Sequence, residues 1–93
     1  MKAVYMIVAT RHIEGAEALV ASLKRGEPMI LRRDPVNQYD TRAVEIVCRG
    51  TRVGFVPMRD NAKLADRLDK MGPGAEIAGT YAPSGHRWVE VDE

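Results

Sequence analysis

The stretch from residue 31 to residue 57 constrains the fold of this chain more than any other. A basic strand end, Arg32-Arg33, runs into a polar stretch over residues 34–40 that holds an aromatic ring, two carboxylates and an amide. Two β-rich runs follow and meet at a tight corner at Arg49-Gly50, which predicts a β-hairpin. We therefore expect a sheet built around this hairpin, with the polar stretch as the first candidate for a binding site.

Hydrophobic periodicity predicts the other elements. The strand-like runs cover residues 2–10, 28–33, 43–49, 52–57, 75–82 and 86–92, and the helical stripes cover residues 14–25 and 60–71. The predicted order is β-α-β-β-β-α-β-β. Six short strands and two helices in 93 residues indicate a single domain over residues 1–93, mainly β (α+β), in the form of a small, partly closed barrel with helices at its ends.

Local signals refine these elements. Gly26 is expected to stop the first helix, and Asp60 is expected to be the N-cap of the second. Asp66 and Lys70 have the spacing of an i, i+4 ion pair on the second helix. Gly54, inside the fourth strand, predicts a bulge or the close approach of another group.

Composition excludes several classes of protein. Hydrophobic residues make up 45% and charged residues 29%, as in ordinary globular domains. No apolar run approaches the roughly 20 residues that a membrane span needs, and the N-terminus lacks the pattern of a secretory signal. The lone Cys48 cannot form an internal disulfide and fits a reducing compartment. We therefore expect a cytoplasmic protein without a membrane partner.

The charges are unevenly distributed, although the formal net charge is only +1. Residues 24–59 contain eight Lys or Arg against four Asp or Glu, and ten of the fourteen basic residues of the chain are Arg. Arg binds phosphate in a bidentate manner and stacks on bases. This pattern predicts a bounded anion-binding face, and the alternative is an ordinary solvated surface.

The sequence offers little for metal binding or catalysis. Cys48, His12 and His86 do not have the spacing of a zinc site, and Asp34 and Asp40 do not fit the pattern of an EF-hand. No phosphate-binding glycine loop and no nucleophile motif is present. We predict no metal, no cofactor and no catalytic residue, and hence a protein that is not an enzyme.

Aromatic residues are few, but two of them occur in polar surroundings. Single-strand binders combine cations that follow the backbone with aromatic faces on which bases stack. Tyr39 lies in the polar stretch and Trp88 follows Arg87, so each is a candidate stacking surface. The alternative is that both rings seal the ends of the barrel.

One pattern of residues resembles a known family. Residues 31–44 read L-R-R-D-P-x-N-x-Y-D-x-x-A-V and residues 53–57 read V-G-F-V-P, ahead of a helix that bears Ala62, Leu64 and Ala65. This pattern closely resembles the HIRAN domain, which occurs at the front of eukaryotic fork-remodelling helicase-like proteins and as small stand-alone bacterial and phage proteins. The resemblance implies a six-stranded, OB-like barrel with two helices.

The resemblance also implies capture of the free 3′ end of single-stranded DNA. In the helicase members a turn carboxylate receives the terminal 3′-hydroxyl, aromatic rings sandwich the last bases, and basic residues hold the phosphate. Carried over by position, Asp40 would accept from the 3′-hydroxyl and Tyr39 would line the end pocket. Asn37 would brace the turn or touch the sugar, and Arg11 would take a phosphate.

The aromatic part of the family's site is altered in this chain. His12 stands where DNA-binding members carry a stacking tyrosine, Phe55 stands where they carry a histidine, and Trp88 is the candidate for the opposing ring. The residues predicted to bind nucleic acid are Arg11, His12, Arg32, Arg33, Asn37, Tyr39, Asp40, Phe55 and Trp88.

Three functions follow from these observations. The first is a non-catalytic module that binds the 3′ end of single-stranded DNA, with a role in DNA repair or at replication forks through a helicase or another DNA-processing protein. The second is a protein-interaction or regulatory domain whose basic turn binds an acidic partner, in which case Asp40 only caps the turn. The third, a phosphodiesterase using Asp34 and Asp40 with a divalent metal, lacks a complete ligand set. We favour the first.

Overall fold

The computed structural model describes residues 1–93 and contains the six predicted strands and both predicted helices. The strands are β1 Lys2–Met6, β2 Pro28–Arg33, β3 Val44–Cys48, β4 Thr51–Phe55, β5 Glu76–Tyr81 and β6 Trp88–Asp92, and the helices are α1 Ala16–Ala21 and α2 Ala62–Met71. Two short 3-10 helices, Thr10–His12 and Met58–Asp60, precede α1 and α2. All strands join one antiparallel sheet in the order β1-β6-β5-β2-β3-β4, so the predicted mainly β, OB-like architecture is confirmed.

The core lies on the concave side of this sheet. From β3, Val44, Ile46 and Cys48 point inward, as their alternation predicts, and all three are buried. The apolar stripe of α2 that includes Leu64 and Leu68 packs against the same cluster. Burial raises the pKa of the Cys48 thiol, so this cysteine is a small hydrophobic core residue rather than a reactive thiol.

The barrel closes where the chain beyond β1 meets the end of β4, a region that we call the seam (residues 7–12 with residues 54 and 55). Val8 and Phe55 exchange two backbone hydrogen bonds of 3.0 and 2.9 Å. A bulge between Ile46 and Val47 shifts the pairing with β4 next to Gly54. A Cβ atom on Gly54 would lie 2.5 Å from the Ile7 side chain and 2.8 Å from the Val8 carbonyl oxygen. The close approach predicted at Gly54 is therefore confirmed, and it is what brings the two edges together.

The predicted hairpin corner is also present between β3 and β4. Arg49 and Gly50 both have positive φ, 53° and 76°, which is the backbone of a two-residue type I′ turn. This turn matches the right-handed twist of the two strands, and it fixes Cys48 opposite Thr51.

Both N-terminal elements are shorter than the sequence predicts. The strand ends because Ala9 adopts a left-handed backbone, with φ of 67°, before the 3-10 helix. The helix begins only at Ala16, after Gly15 with φ of 80°, and ends at Ala21. Gly26 does not cap it, because the segment from Gly26 to residue 27 pairs with Tyr81 through two backbone hydrogen bonds. Pairing with the sheet thus overrides the helical spacing of residues 22–25.

Two predictions about α2 are wrong. Asp60 closes the preceding 3-10 helix, and the N-cap of α2 is Asn61, whose side chain points to the β2–β3 turn instead of the helix backbone. Asp66 pairs with Arg42 of that turn at 3.5 Å, and not with Lys70. Both errors have the same cause. The β2–β3 turn packs against the first half of α2, and the polar side chains there bond to residues of the turn instead of to the helix.

We predict that Gly54→Ala lowers the free energy of unfolding by about 1–3 kcal/mol, because the added methyl group forces the seam apart. Urea denaturation measures this change. As a control, Ala78→Gly on the exposed face of β5 removes a Cβ from a strand and should cost about 0.5–1 kcal/mol. Added stability in Gly54→Ala would contradict the account of the seam.

Candidate nucleic-acid interface

Asn37 organises the β2–β3 turn, residues 34–43, from its centre. Its Oδ1 accepts hydrogen bonds from the backbone N–H of Tyr39 at 2.9 Å and of Asp40 at 3.0 Å. Its Nδ2 donates to Oδ2 of the buried Asp34 at 3.2 Å. The side chain thus replaces the backbone partners that this irregular segment lacks, as Asn does in Asx-turns.

Asp40 is held from two sides. Its Oδ1 accepts from the backbone N–H of Arg42 at 2.9 Å, and its Oδ2 accepts from Asn61 Nδ2 at 2.7 Å. Asn61 is only 2% exposed, so the second bond ties the turn to the start of α2 in a site that excludes most water. The carboxylate is half-buried, and its position is fixed before any ligand arrives.

Tyr39 projects from this braced turn into solvent. The residue is 89% exposed, although its backbone N–H is held by Asn37 and it directly precedes Asp40. Tyrosine usually buries its ring, so an open phenol on a rigid turn is better suited to contact a ligand than to support the fold. The prediction that Tyr39 seals an end of the barrel does not fit this position.

The two arginines at the end of β2 point to opposite sides of the sheet. Arg33 donates to the carbonyl oxygens of Ala43 at 2.8 Å and Thr41 at 2.9 Å, and its Nε bonds to Asp69 of α2 at 3.0 Å. Its guanidinium therefore closes the base of the turn. Arg32 donates to Glu45 at 2.7 Å and lies 3.7 Å from Glu76, with part of its side chain still open to solvent.

A buried carboxylate links Arg32 to the strand on the other side of β3. Glu45, with a side chain only 9% exposed, accepts from Arg32 and from Arg52, each at 2.7 Å. Burial raises the pKa of Glu45, but the hydrogen bonds from the two arginines outweigh burial and hold it below the ordinary value. Arg52 also approaches Asp34 at 3.4 Å, and its guanidinium lies 5.1 Å from the centre of the Phe55 ring.

Arg11 and His12 lie at the seam, on the 3-10 helix that follows the Val8–Phe55 bridge. Both side chains are exposed, and together with Arg87 they line a shallow groove. Arg87 is paired with Glu17 at 2.9 Å, whereas Arg11 has no carboxylate partner. Arg11 is therefore the predicted phosphate ligand that is most available to an anion.

Trp88 lies apart from the turn. It begins β6 opposite Met6, whereas the turn leaves the sheet at the other end of the strands. Its indole N–H donates to the Ser84 carbonyl oxygen at 3.1 Å, and its ring meets the edge of His86 at 6.5 Å. Trp88 thus lies beside the seam, on the hairpin between β5 and β6, and not opposite Tyr39.

The predicted residues therefore form two groups. Asn37, Tyr39 and Asp40 share the turn, and Arg11, His12 and Phe55 share the seam. Arg52, which the sequence-based prediction omits, joins the groups through its contacts with Asp34 and Phe55. Asn61 was also missed, because its role depends on the packing of α2 against the turn and no local pattern signals it.

No group of three His, Cys, Asp or Glu side chains able to hold a metal ion occurs in residues 1–93. Asp34, one of the two carboxylates of the phosphodiesterase hypothesis, is buried and engaged by Asn37 and Arg52. No helix has the length and apolar character needed to cross a membrane.

This fold, with its braced polar turn between β2 and β3, defines a small OB-like barrel module. The family model of the HIRAN domain matches residues 2–90, and the chain belongs to the HIRAN domain family. Members of this family are known in general as DNA-binding modules. The resemblance to the HIRAN family found in the sequence motif is therefore confirmed. The general function of the family, DNA binding, follows from this membership.

Two solved structures share the fold over 99% of this chain. A protein from Lactobacillus plantarum is 19% identical, with a TM-score of 0.75 and all of its own chain covered. The HIRAN domain of human HLTF is 23% identical, with a TM-score of 0.70 and 77% of its chain covered. No curated protein matches the chain in sequence. At these identities the two structures support the fold alone.

We predict that Glu45→Gln lowers the free energy of unfolding at pH 7 by about 1–3 kcal/mol, since it weakens two charged hydrogen bonds whose arginines are partly exposed. The folded-state pKa of Glu45 is depressed, so its contribution is present above the ordinary value of 4.5 and is lost as the pH falls through the folded pKa. Denaturation at several pH values should show the variant and wild type converging in acid.

The control for this prediction is Glu14→Gln, which removes the same charge from an exposed position ahead of α1. Its effect should stay within about 0.5 kcal/mol. A Glu45→Gln deficit that persists unchanged in acid would show that the carboxylate does not hold the two arginines electrostatically.

Proposed function

We propose that this HIRAN domain is a non-catalytic module that captures single-stranded DNA at its free 3′-hydroxyl end. The observation that carries the proposal is the fixed Asp40 carboxylate beside the open ring of Tyr39. A role in DNA repair or at replication forks would then come through a helicase or another DNA-processing protein that shares the same DNA.

The carboxylate of Asp40 suits a terminal hydroxyl. Each carboxylate oxygen has two acceptor positions, and each uses one of them within the protein, on Arg42 and on Asn61. One position on each oxygen is left for a hydroxyl donor. An ionised carboxylate accepts such a donor strongly and repels a 3′-phosphate, so the charge itself would distinguish a free end from a blocked one.

The rings would hold the terminal bases. Tyr39 stands next to Asp40 and is open on both faces, which suits stacking of the last base. His12 and Phe55, at the seam, would take the next part of the strand. Trp88 lies beside the seam, so in this proposal it contacts DNA further from the end and does not face Tyr39 across one base.

Some of the cations would contact DNA phosphates, and others hold the turn in place. Arg11 is exposed and has no acidic partner, so it would contact a phosphate directly. Arg32 keeps part of its guanidinium open while Glu45 orients it. Arg33 is a positioning residue, because all its hydrogen bonds hold the turn and α2. Asn37 acts in the same way through the backbone of Tyr39 and Asp40.

An acidic protein partner on this basic turn is less well supported. Arg33, Arg42 and Arg52 already lie within 4 Å of carboxylates of the chain itself. An acidic partner would have to displace these intramolecular pairs, whereas a 3′-hydroxyl needs none of them to break.

We predict that a short single-stranded DNA with a free 3′-hydroxyl binds about 10- to 150-fold more tightly than the same strand with a 3′-phosphate, the range expected for one hydrogen bond to a charged acceptor. Fluorescence anisotropy at low salt measures both affinities. Asp40→Asn should erase this preference and loosen the turn less than Asp40→Ala does, because the Asn side chain keeps one of the two oxygens that accept from Arg42 and Asn61.

The matched control is Asp60→Ala, which removes one negative charge close to Asn61 but outside the turn, and which should keep the preference. Equal binding of the two oligonucleotides by wild type would show that Asp40 does not receive the 3′-hydroxyl. Binding of neither oligonucleotide at low salt would exclude the DNA-binding proposal altogether.

We predict that Tyr39→Ala weakens binding of single-stranded DNA by about 1–3 kcal/mol, or roughly 5- to 150-fold, with little change in thermal stability because the ring is exposed. Val36→Ala, at an exposed apolar position in the same turn, is the control and should leave both properties unchanged. A loss of stability in Tyr39→Ala without a loss of affinity would assign the ring to the fold.

A further inference from the structure

The unpaired cations of this protein lie mainly outside the basic stretch that the sequence emphasises. Six of the eight basic residues in 24–59 form ion pairs with carboxylates, namely Arg32, Arg33, Arg42, Arg49, Arg52 and Arg59. Lys63, Arg67 and Lys70 of α2 form none. Their i, i+4, i+7 spacing places them on one face of the helix, while Asp66 pairs with Arg42 of the turn and Asp69 pairs with Arg33 of β2.

This cationic face of α2 borders an open groove of about 610 Å³. Two carboxylates also line the groove, but Asp66 is paired with Arg42 and Glu93 accepts a hydrogen bond from Tyr5, so the three cations leave a net positive charge. Tyr5, Leu64 and Met71 provide the apolar surface of the groove, and Met71 is 53% exposed. Burial, together with a 2.9 Å hydrogen bond to Glu93, raises the pKa of Tyr5 to about 12, so the phenol stays neutral. The volume lies within the range of ligand sites, and an exposed methionine at a groove is typical of surfaces that bind other proteins.

A free strand edge adjoins the groove. The hydrogen bonds from Glu93 N–H to Met1 O and from Ile7 N–H to Arg87 O show that the odd-numbered residues of β1 face β6. The backbone groups of Lys2, Val4 and Met6 therefore point to the opposite edge. Val8, with the same parity, uses this edge to bond Phe55, but Lys2, Val4 and Met6 have no partner there.

We propose that this second surface, formed by the edge of β1 and the cationic face of α2, binds an extended acidic segment of a partner protein. The segment would add as a strand along Lys2, Val4 and Met6. Its apolar side chains would pack near Tyr5 and Met71, and its acidic side chains would contact Lys63 and Lys70. The surface is separate from the turn, so the two could be occupied independently.

A peptide fits this surface better than nucleic acid does. The free edge offers backbone N–H donors and C=O acceptors in alternation, and only another backbone strand satisfies both. A phosphate backbone has acceptors alone and would leave the carbonyl groups of β1 facing anionic oxygens. A second copy of this chain is also a poor fit, because pairing two β1 edges would bring two sets of α2 cations towards one another.

Hydrogen exchange of β1 amides tests the proposal with a readout that depends on residue parity. The probe is a short peptide of sequence Val-Thr-Glu-Thr-Val-Thr-Glu, in which Val and Glu share one face of the added strand, and the same peptide with Lys in place of Glu is the control. In the free protein the amides of Val4 and Met6 should exchange much faster than those of Ala3 and Tyr5. The acidic peptide should slow Val4 and Met6 at least about tenfold and leave Ala3 and Tyr5 nearly unchanged. Unchanged exchange at Val4 and Met6, or equal effects of both peptides, would overturn the proposal.

Variants separate this surface from the turn. Lys63→Glu with Lys70→Glu should weaken the acidic peptide about tenfold or more, whereas Lys24→Glu, at another exposed and unpaired lysine, should not. Val4→Pro should also abolish binding, because it blocks only the outward N–H of β1 and leaves the pairing with β6 in place. If the α2 variant instead loses single-stranded DNA and retains the peptide, the ligand is nucleic acid and the proposal is wrong. Concentration-dependent dimers that Val4→Pro dissociates would assign the edge to a second copy of the chain.

Discussion

The 2.7 Å hydrogen bond from Asn61 Nδ2 to Asp40 Oδ2 connects the two parts of this molecule that matter for binding. It joins the long β2–β3 turn to the start of α2. It also fixes the Asp40 carboxylate at the surface of the barrel, outside the hydrophobic core. Asn61 is buried, so the bond forms in a place where losing it would leave a polar group without water. The order of the turn, and hence the direction in which Tyr39 points, depends on this contact and on Asn37.

The charges of the protein serve the fold before they serve a ligand. Glu45 holds Arg32 and Arg52 against the outer face of β3, and Asp69 holds Arg33 against the turn. These pairs explain why the basic middle of the sequence does not become an open cationic face. Among the cations without a carboxylate partner are Arg11, at the seam, and Lys63, Arg67 and Lys70 along α2, and each of these two places is proposed to meet a different anionic partner.

The sequence predicts the boundaries of an element well where a residue such as Pro or Gly terminates it. The bounds of β2 are as expected, since Pro28 begins the strand and Asp34-Pro35 ends it, and the I′ corner at Arg49-Gly50 is visible in the residues themselves. The helix at residues 14–25 is shortened by sheet pairing that no helical pattern can show. For the site, the sequence motif identifies the turn. The roles of Asn61, Arg52 and Arg33 depend on contacts between segments that are distant in the chain, and a single sequence does not show these contacts.

The central claim is that a carboxylate positioned by Asn61 and Arg42 receives the 3′-hydroxyl. The measurement that tests it most directly is an NMR titration of the ¹⁵N-labelled protein that follows the side-chain amide of Asn61 and the backbone amide of Arg42, the two donors to Asp40. Both resonances are expected to shift with a short strand that ends in a free 3′-hydroxyl and to stay in place with its 3′-phosphate counterpart. Shifts that are equal for the two strands, or that bypass both donors while other amides move, would contradict 3′-end capture by Asp40.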